Sequence, residues 1–130
     1  MEKPSFLVLF ALSAAIALIL AIGYGLRKNR APNRVYVNGI AWRGKEVINE
    51  KRCGSCHTIP GINGARGVVG PPLFFLGRRT MIAGLLPNTP ENLARWIQSP
   101  QSVNPQTAMP TLGLSQEQAR DVAAYLFTLR

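Results

Sequence analysis

The sequence predicts an all-α protein, with a single N-terminal transmembrane helix followed by a domain of short helices wrapped around a bound group. Three observations support this fold class. Residues 6–25 contain no charged residue, and three later segments carry the apolar spacing of helices. The loops between those segments are long and contain many of the 12 Gly and 10 Pro of the chain. Long irregular loops inside a compact domain need something to wrap around.

The uncharged run, Phe6 to Gly25, is the first predicted element. At about 1.5 Å per residue, a helix of this length spans about 30 Å, which matches the hydrocarbon core of a bilayer. Tyr24 stands where an interfacial aromatic residue would lie. We therefore expect a transmembrane anchor over residues 1–26. A cleaved signal peptide is the alternative, because Ala21-Ile22-Gly23 resembles a small-x-small cleavage site.

A basic linker is predicted over residues 27–41, with an extended stretch around Val35-Tyr36-Val37 and with Pro32 and Asn38-Gly39 as breakers. The domain that follows is predicted over residues 42–130. Its first helix is expected from about Gly44 to Arg52.

Two further helices are predicted downstream of a long Gly- and Pro-rich loop. Thr89 has the character of an N-cap, with Pro90 at the first helical position, and this helix should end at Ser99-Pro100. The last helix begins with a capping box formed by Ser115 and Gln118. Its apolar residues recur at the spacing of one helix face: Ala119, Val122, Ala123 and Leu126.

The composition limits the classes of function. A formal net charge of +9 favours acidic partners, such as an acidic protein surface or anionic lipid. Clustered groove-binding basic residues with stacking aromatics are not evident, so we expect no nucleic-acid partner. Two Cys and one His exclude a disulfide framework, a four-ligand Cys/His zinc site drawn from this chain alone and a catalytic triad with a second His.

The main chemical motif is Cys53-Gly54-Ser55-Cys56-His57, which holds both cysteines and the single histidine. The pattern C-x-x-C-H is the attachment signature of c-type haem. Two thiols three positions apart can each form a thioether to one edge of a porphyrin, and the adjacent His57 then becomes the proximal iron ligand. A thioredoxin-like redox pair would need a βαβ context that the sequence lacks. The motif predicts one covalent haem c, attached through Cys53 and Cys56.

The sixth iron ligand is predicted by elimination. No second His exists, so a methionine is the remaining strong candidate. Met109 stands in a Pro-flanked loop between two helices, far enough along the chain to return over the other face of the haem. Met81 and an open sixth position are the alternatives. An iron held by His57 and Met109 is saturated, which favours electron transfer over oxygen or peroxide chemistry.

Over essentially all of residues 42–130, the chain resembles the class I cytochromes c. Besides the haem motif, the matching pieces are Gly70-Pro71-Pro72-Leu73, Leu93-x-x-Trp96-Ile97-x-x-Pro100, Met109-Pro110 and Ala123-Ala124-Tyr125-Leu126. The resemblance implies a fold of short helices around one covalent haem c.

The resemblance also implies roles for single residues. The carbonyl of Pro71 would accept the proton on the outer nitrogen of His57. Arg78 matches a position that often pairs with a haem propionate, with Arg79 left open as the alternative. Trp96 would pack on the methionine side of the haem. Ile48 and Tyr125 match the positions where the first and last helices of the domain cross.

Within the family, residues 86–110 look most like the cytochrome domain of subunit II of haem–copper oxidases. Arg43-Gly44-Lys45-Glu46-Val47 is similar to the cytochrome c subunit of bacterial nitric oxide reductases, which is the second choice. Either resemblance implies an electron-entry or transfer subunit of a membrane respiratory complex, not catalytic by itself. Its partners would be the other subunits, membrane lipid and a redox protein with an acidic surface. A c-haem peroxidase or sensor with an open sixth position is the enzyme alternative.

Two arguments about which side of the membrane carries the domain disagree, and we follow the chemistry of haem attachment. The positive-inside rule would place the domain in the cytoplasm, because four basic residues follow the uncharged run: Arg27, Lys28, Arg30 and Arg34. Covalent haem attachment in the family that the chain resembles happens outside it. We therefore expect a single-pass protein of the cytoplasmic membrane, with its haem domain on the periplasmic, or outer, side.

Overall fold

The computed structural model describes residues 6–28, 35–36 and 38–130. The chain divides into two compact units, Met1–Pro32 and Asn33–Arg130. The first unit contains helix α1 (Phe6–Lys28), whose side chains are exposed over residues 10–24.

The transmembrane part of the predicted fold class is wrong. A crossing helix needs about 20 apolar residues in succession. Over the residues that the structure describes, no helix is both long enough and apolar enough to meet that requirement. The uncharged run does form helix α1, but the predicted anchor over residues 1–26 is not supported.

The second unit begins with a small hairpin. Strand β1 (Val35–Tyr36) pairs antiparallel with strand β2 (Gly39–Ile40), with Val35 opposite Ile40. The predicted extended stretch is confirmed at its first two residues, whereas its third, residue 37, lies outside the described residues. Residues 29–34 of the predicted basic linker lie outside them as well. The boundaries 26/27 and 41/42 stay predictions.

Four α-helices follow the hairpin in the described part of the second unit. Helix α2 (Ala41–Glu50) begins three residues earlier than expected. Helix α3 (Pro90–Gln98), helix α4 (Pro100–Val103) and helix α5 (Gln116–Leu126) follow in the C-terminal part. The helical character of the domain is therefore confirmed.

Both predicted helix caps are present. The Thr89 hydroxyl accepts a hydrogen bond from the backbone N–H of Asn92 at 3.2 Å, with Pro90 in the first turn. The Ser115 hydroxyl accepts from the Gln118 N–H at 3.1 Å, and the Gln118 side chain accepts from the Ser115 N–H at 3.0 Å. These contacts satisfy backbone donors that a helix start would otherwise leave unpaired.

The first and last helices of the domain cross at very short range. At Gly44 of α2, an added Cβ would lie 1.9 Å from the backbone oxygen of Asp121 on α5. The buried Asp121 carboxylate accepts from the Ile40 N–H at 2.6 Å and pairs with the Arg43 guanidinium at 2.9 Å. Ile48, which was predicted at this crossing, is only 1% exposed. The crossing is therefore fixed by both close backbone packing and an ion pair whose carboxylate is buried.

The long loop between α2 and α3 is irregular, as predicted, but backbone hydrogen bonds hold it against the C-x-x-C-H segment. The N–H groups of Gly67 and Gly70 donate to the carbonyls of Gly54 and Cys56 at 3.0 and 2.8 Å. A second hairpin, formed by strands β3 (Met81–Ile82) and β4 (Leu86–Pro87), connects this loop to α3. The loop thus folds back on the motif and encloses space beside it.

Candidate haem site

A cavity of about 610 Å³ lies inside the second unit, within the size range of ligand and cofactor sites. Most of its lining is apolar and comes from α2, α3, α5 and the loops between them. Nearly all the predicted site residues line it: Cys53, Cys56, His57, Pro71, Trp96 and Met109. Arg78 is not among the lining residues, whereas its neighbour Arg79 is.

The C-x-x-C-H segment is set by a tight turn. Residues Cys53–Ser55 form one turn of 3₁₀ helix, and the carbonyl of Cys53 accepts hydrogen bonds from the N–H groups of Cys56 and His57 at 3.2 and 3.0 Å. Both thiols are free, and burial raises the pKa of the Cys53 thiol. One local turn therefore places all three reactive side chains at the same wall of the cavity.

His57 is oriented by the loop that follows it. Its Nδ1 lies 2.7 Å from the carbonyl oxygen of Pro71, the partner that the resemblance implied. A carbonyl can only accept, so Nδ1 carries the proton and the lone pair of Nε2 is free to bind a metal. Gly70 lies against the same ring, where an added Cβ would be 2.4 Å from Cε1. Only glycine fits at this position.

Met109 and Met81 both line the cavity, in different settings. The N–H of Met109 donates to the Thr107 hydroxyl at 3.2 Å, and its carbonyl accepts from the Gln101 side chain at 2.7 Å. Met109 is half-buried, whereas Met81 lies on β3 and is 44% exposed. The backbone of Met109 is thus held on both sides, which favours it as the predicted ligand.

A polar corner of the cavity contains Asn88, which was not predicted, and Arg79, the alternative to Arg78. The Asn88 side-chain NH₂ donates to the carbonyls of Leu76 and Arg79, both at 2.8 Å. Its Oδ1 is buried and has no hydrogen-bond partner. The Arg79 guanidinium donates to the carbonyls of Pro72 and Phe74. No local sequence signal identifies Asn88, because its contacts join positions 9 and 12 residues apart in irregular loops.

The lining residues fit a haem c. Two thiols and an imidazole with a free lone pair would supply the attachment points and one iron ligand, and a thioether would supply a second. The apolar walls suit a large flat macrocycle. The unpaired oxygen of Asn88 lacks a donor that a polar edge of a cofactor, or a water bound to it, could supply.

Comparisons with known proteins agree with this geometry. Residues 41–130 match the family model for cytochrome c. A relative named cytochrome c oxidase subunit 2, from Alkalihalophilus pseudofirmus, is 37% identical over 92 residues, which is 70% of this chain and 26% of the relative. Its namesake from Bacillus sp. (strain PS3) is 32% identical over 108 residues, 80% of this chain and 30% of the relative. That from Bacillus subtilis is 35% identical over 72 residues, 54% and 20% respectively.

The chain therefore spans less than a third of the length of each of these relatives. The predicted resemblance to the cytochrome domain of oxidase subunit II is confirmed by these matches, and the family model covers more than half of the chain. The chain belongs to the cytochrome c family.

Proposed function

We propose that this chain is a one-electron carrier of a terminal-oxidase complex, holding a single haem c through Cys53 and Cys56 with His57 and Met109 as axial ligands. The observation that supports this most is the cavity of about 610 Å³, which brings these four side chains to one space. When bound, a haem c supplies an iron that gains and loses one electron. The protein is not catalytic by itself in this proposal.

His57 holds its ring in one orientation through the Pro71 carbonyl. That hydrogen bond fixes the tautomer and raises the electron-donating strength of Nε2. Gly70 lets the loop backbone approach the ring closely. The loop therefore acts as the support of the proximal ligand.

Met109 supplies a soft sulfur ligand in the proposal. If His57 and Met109 both hold the iron, no position would stay open for a small molecule, and thioether ligation would raise the reduction potential. Trp96 and the aliphatic residues around it give the cavity an apolar lining, which would favour the less charged, reduced form of a group bound there. These features suit electron transfer better than a peroxidase or sensor.

The proposed partner is a haem–copper oxidase, supported by the relatives named cytochrome c oxidase subunit 2. The net charge of +9 suits a donor or acceptor with an acidic surface. We further propose that the domain works on the outer side of the cytoplasmic membrane, where covalent haem attachment in this family takes place.

The experiment is stopped-flow oxidation of the reduced, haem-loaded protein by a purified haem–copper oxidase in air. We expect complete oxidation, at a rate that falls as salt rises because exposed charges are screened beyond about 8 Å at physiological ionic strength. Failure of the oxidase to oxidise the protein would contradict the proposed partner. Tight cyanide binding by the unaltered ferric protein would contradict the closed sixth position.

A further inference from the structure

Gln101 is the residue of helix α4 that touches the Met109 loop. Its side-chain Nε2 donates to the carbonyl of Met109 at 2.7 Å, and its Oε1 accepts from the hydroxyl of Thr111 at 2.5 Å. One amide therefore contacts the chain at Met109 and again two residues later, on the far side of Pro110. A carbonyl can only accept, so the Met109 contact also fixes which way the amide faces.

The loop around Met109 is irregular, with no helix or strand between α4 and α5. Its Leu114 side chain is buried in the core, but the other backbone hydrogen bond at Met109 is local. The Met109 N–H donates to the Thr107 hydroxyl at 3.2 Å, and Thr107 in turn donates its N–H to the Asn104 carbonyl at 3.1 Å. The bond from Gln101 thus joins the loop to a helix.

Helix α4 is itself well anchored. Pro100, its first residue, is one of the most deeply buried side chains among the described residues, and α4 packs beside α3. Because Gln101 lies on this anchored helix, its half-buried amide can restrict the movement of Met109, to which it is hydrogen-bonded. Truncation of Gln101 would leave the Met109 carbonyl to be satisfied by water, in a loop with more freedom to move.

We propose that Gln101 is the positioning residue of the sixth ligand: it holds the Met109 backbone so that the sulfur stays at the cavity. The inference deepens the proposed function and rests on it. Because Gln101 acts through Met109, its loss should weaken the methionine ligand without affecting haem attachment at Cys53 and Cys56. It should also leave the His57–Pro71 contact unchanged.

The test is cyanide titration of the ferric, haem-loaded full chain, since cyanide binds by displacing the sixth ligand. Gln101→Ala should bind cyanide roughly two- to tenfold more tightly, the range set by loss of one intramolecular hydrogen bond. Gln101→Glu keeps the size and the acceptor for Thr111 but loses the donor to Met109, so it should change in the same direction. Ser102→Ala is the matched control on α4, because its hydroxyl bonds only the nearby Ser99 carbonyl, at 2.7 Å.

If Gln101 served only the stability of the fold, its loss would change the thermal midpoint of unfolding and not the cyanide affinity. Thermal midpoints measured beside the titrations separate the two cases, because general destabilisation lowers the midpoint without tightening cyanide binding. Wild-type cyanide affinity in both Gln101 variants would overturn the positioning role. Met109→Ala distinguishes this outcome from failure of the proposed function: it should bind cyanide far more tightly than any Gln101 variant, and no change there would overturn the ligand assignment itself.

Discussion

Replacement of Gly44 by alanine tests the closest contact in the fold. The added Cβ would lie 1.9 Å from the oxygen, 2.4 Å from the carbonyl carbon and 2.8 Å from the following nitrogen of the α5 backbone at residues 121–122. None of these atoms can move aside by side-chain rotation. Ordinary contact begins at 3.4 Å, so α2 has to withdraw locally by about 1.5 Å.

Two opposite effects set the size of the result. Alanine is the better helix former by about 1 kcal/mol. Forcing an extra methyl into a packed interior costs typically about 1–3 kcal/mol, and more where the backbone has to shift. Withdrawal of α2 also separates Val47 and Ile48, 8% and 1% exposed, from Val122, 2% exposed. We expect the steric cost to reach the upper end of this range and to exceed the helix gain, with a net loss of about 2 kcal/mol in the free energy of unfolding.

The assay is urea unfolding of the haem-loaded protein, followed by far-ultraviolet circular dichroism. Lys45→Ala is the matched control, because Lys45 is exposed on the same helix and its loss should change stability by less than about 0.5 kcal/mol. A Gly44→Ala protein within about 0.5 kcal/mol of the wild type would refute the reasoning, because the helices could not then approach as closely as described.

Three further results are expected. Cys53→Ser and Cys56→Ser should each lose one thioether, and the double variant should retain little haem after acid–acetone extraction; covalent haem in the double variant would contradict the assignment. Asp121→Asn should lower the free energy of unfolding by about 2 kcal/mol, less than a fully buried pair would lose because the Arg43 side chain is 37% exposed. Burial raises the pKa of Tyr125 in the folded protein above its unfolded value of about 10. The neutral phenol therefore contributes its full stability below the unfolded pKa. That contribution is lost as the pH rises through the folded pKa. Unfolding measured on either side of pH 10 should show that loss in the wild type but not in Tyr125→Phe.

Signals within a few residues of chain predicted the structure well. Ser115 with Gln118, and Thr89 with Pro90, specify helix starts through contacts three residues apart, and both caps are present. The C-x-x-C-H motif is equally local, since one turn sets its three functional side chains. The irregular loop after it was predicted from Gly and Pro content alone.

The remaining features depend on contacts that local patterns do not carry. Helix α4 has only four residues, too few for an apolar period, so the segment was predicted as a loop. Asn88 and Gln101 act through carbonyls of irregular backbone, and the same residue types occur elsewhere at exposed positions. The transmembrane prediction used the absence of charge as its criterion, which indicated helix α1 but was not sufficient for a membrane span.

The methionine–iron charge-transfer band in the far-red absorption of the ferric protein at neutral pH tests the central claim most directly. We expect a six-coordinate, low-spin haem with this band in the wild type. The band should persist in Met81→Ala and disappear in Met109→Ala, with the haem still covalently attached. A five-coordinate wild type, or loss of the band in Met81→Ala instead of Met109→Ala, would contradict a carrier ligated by His57 and Met109.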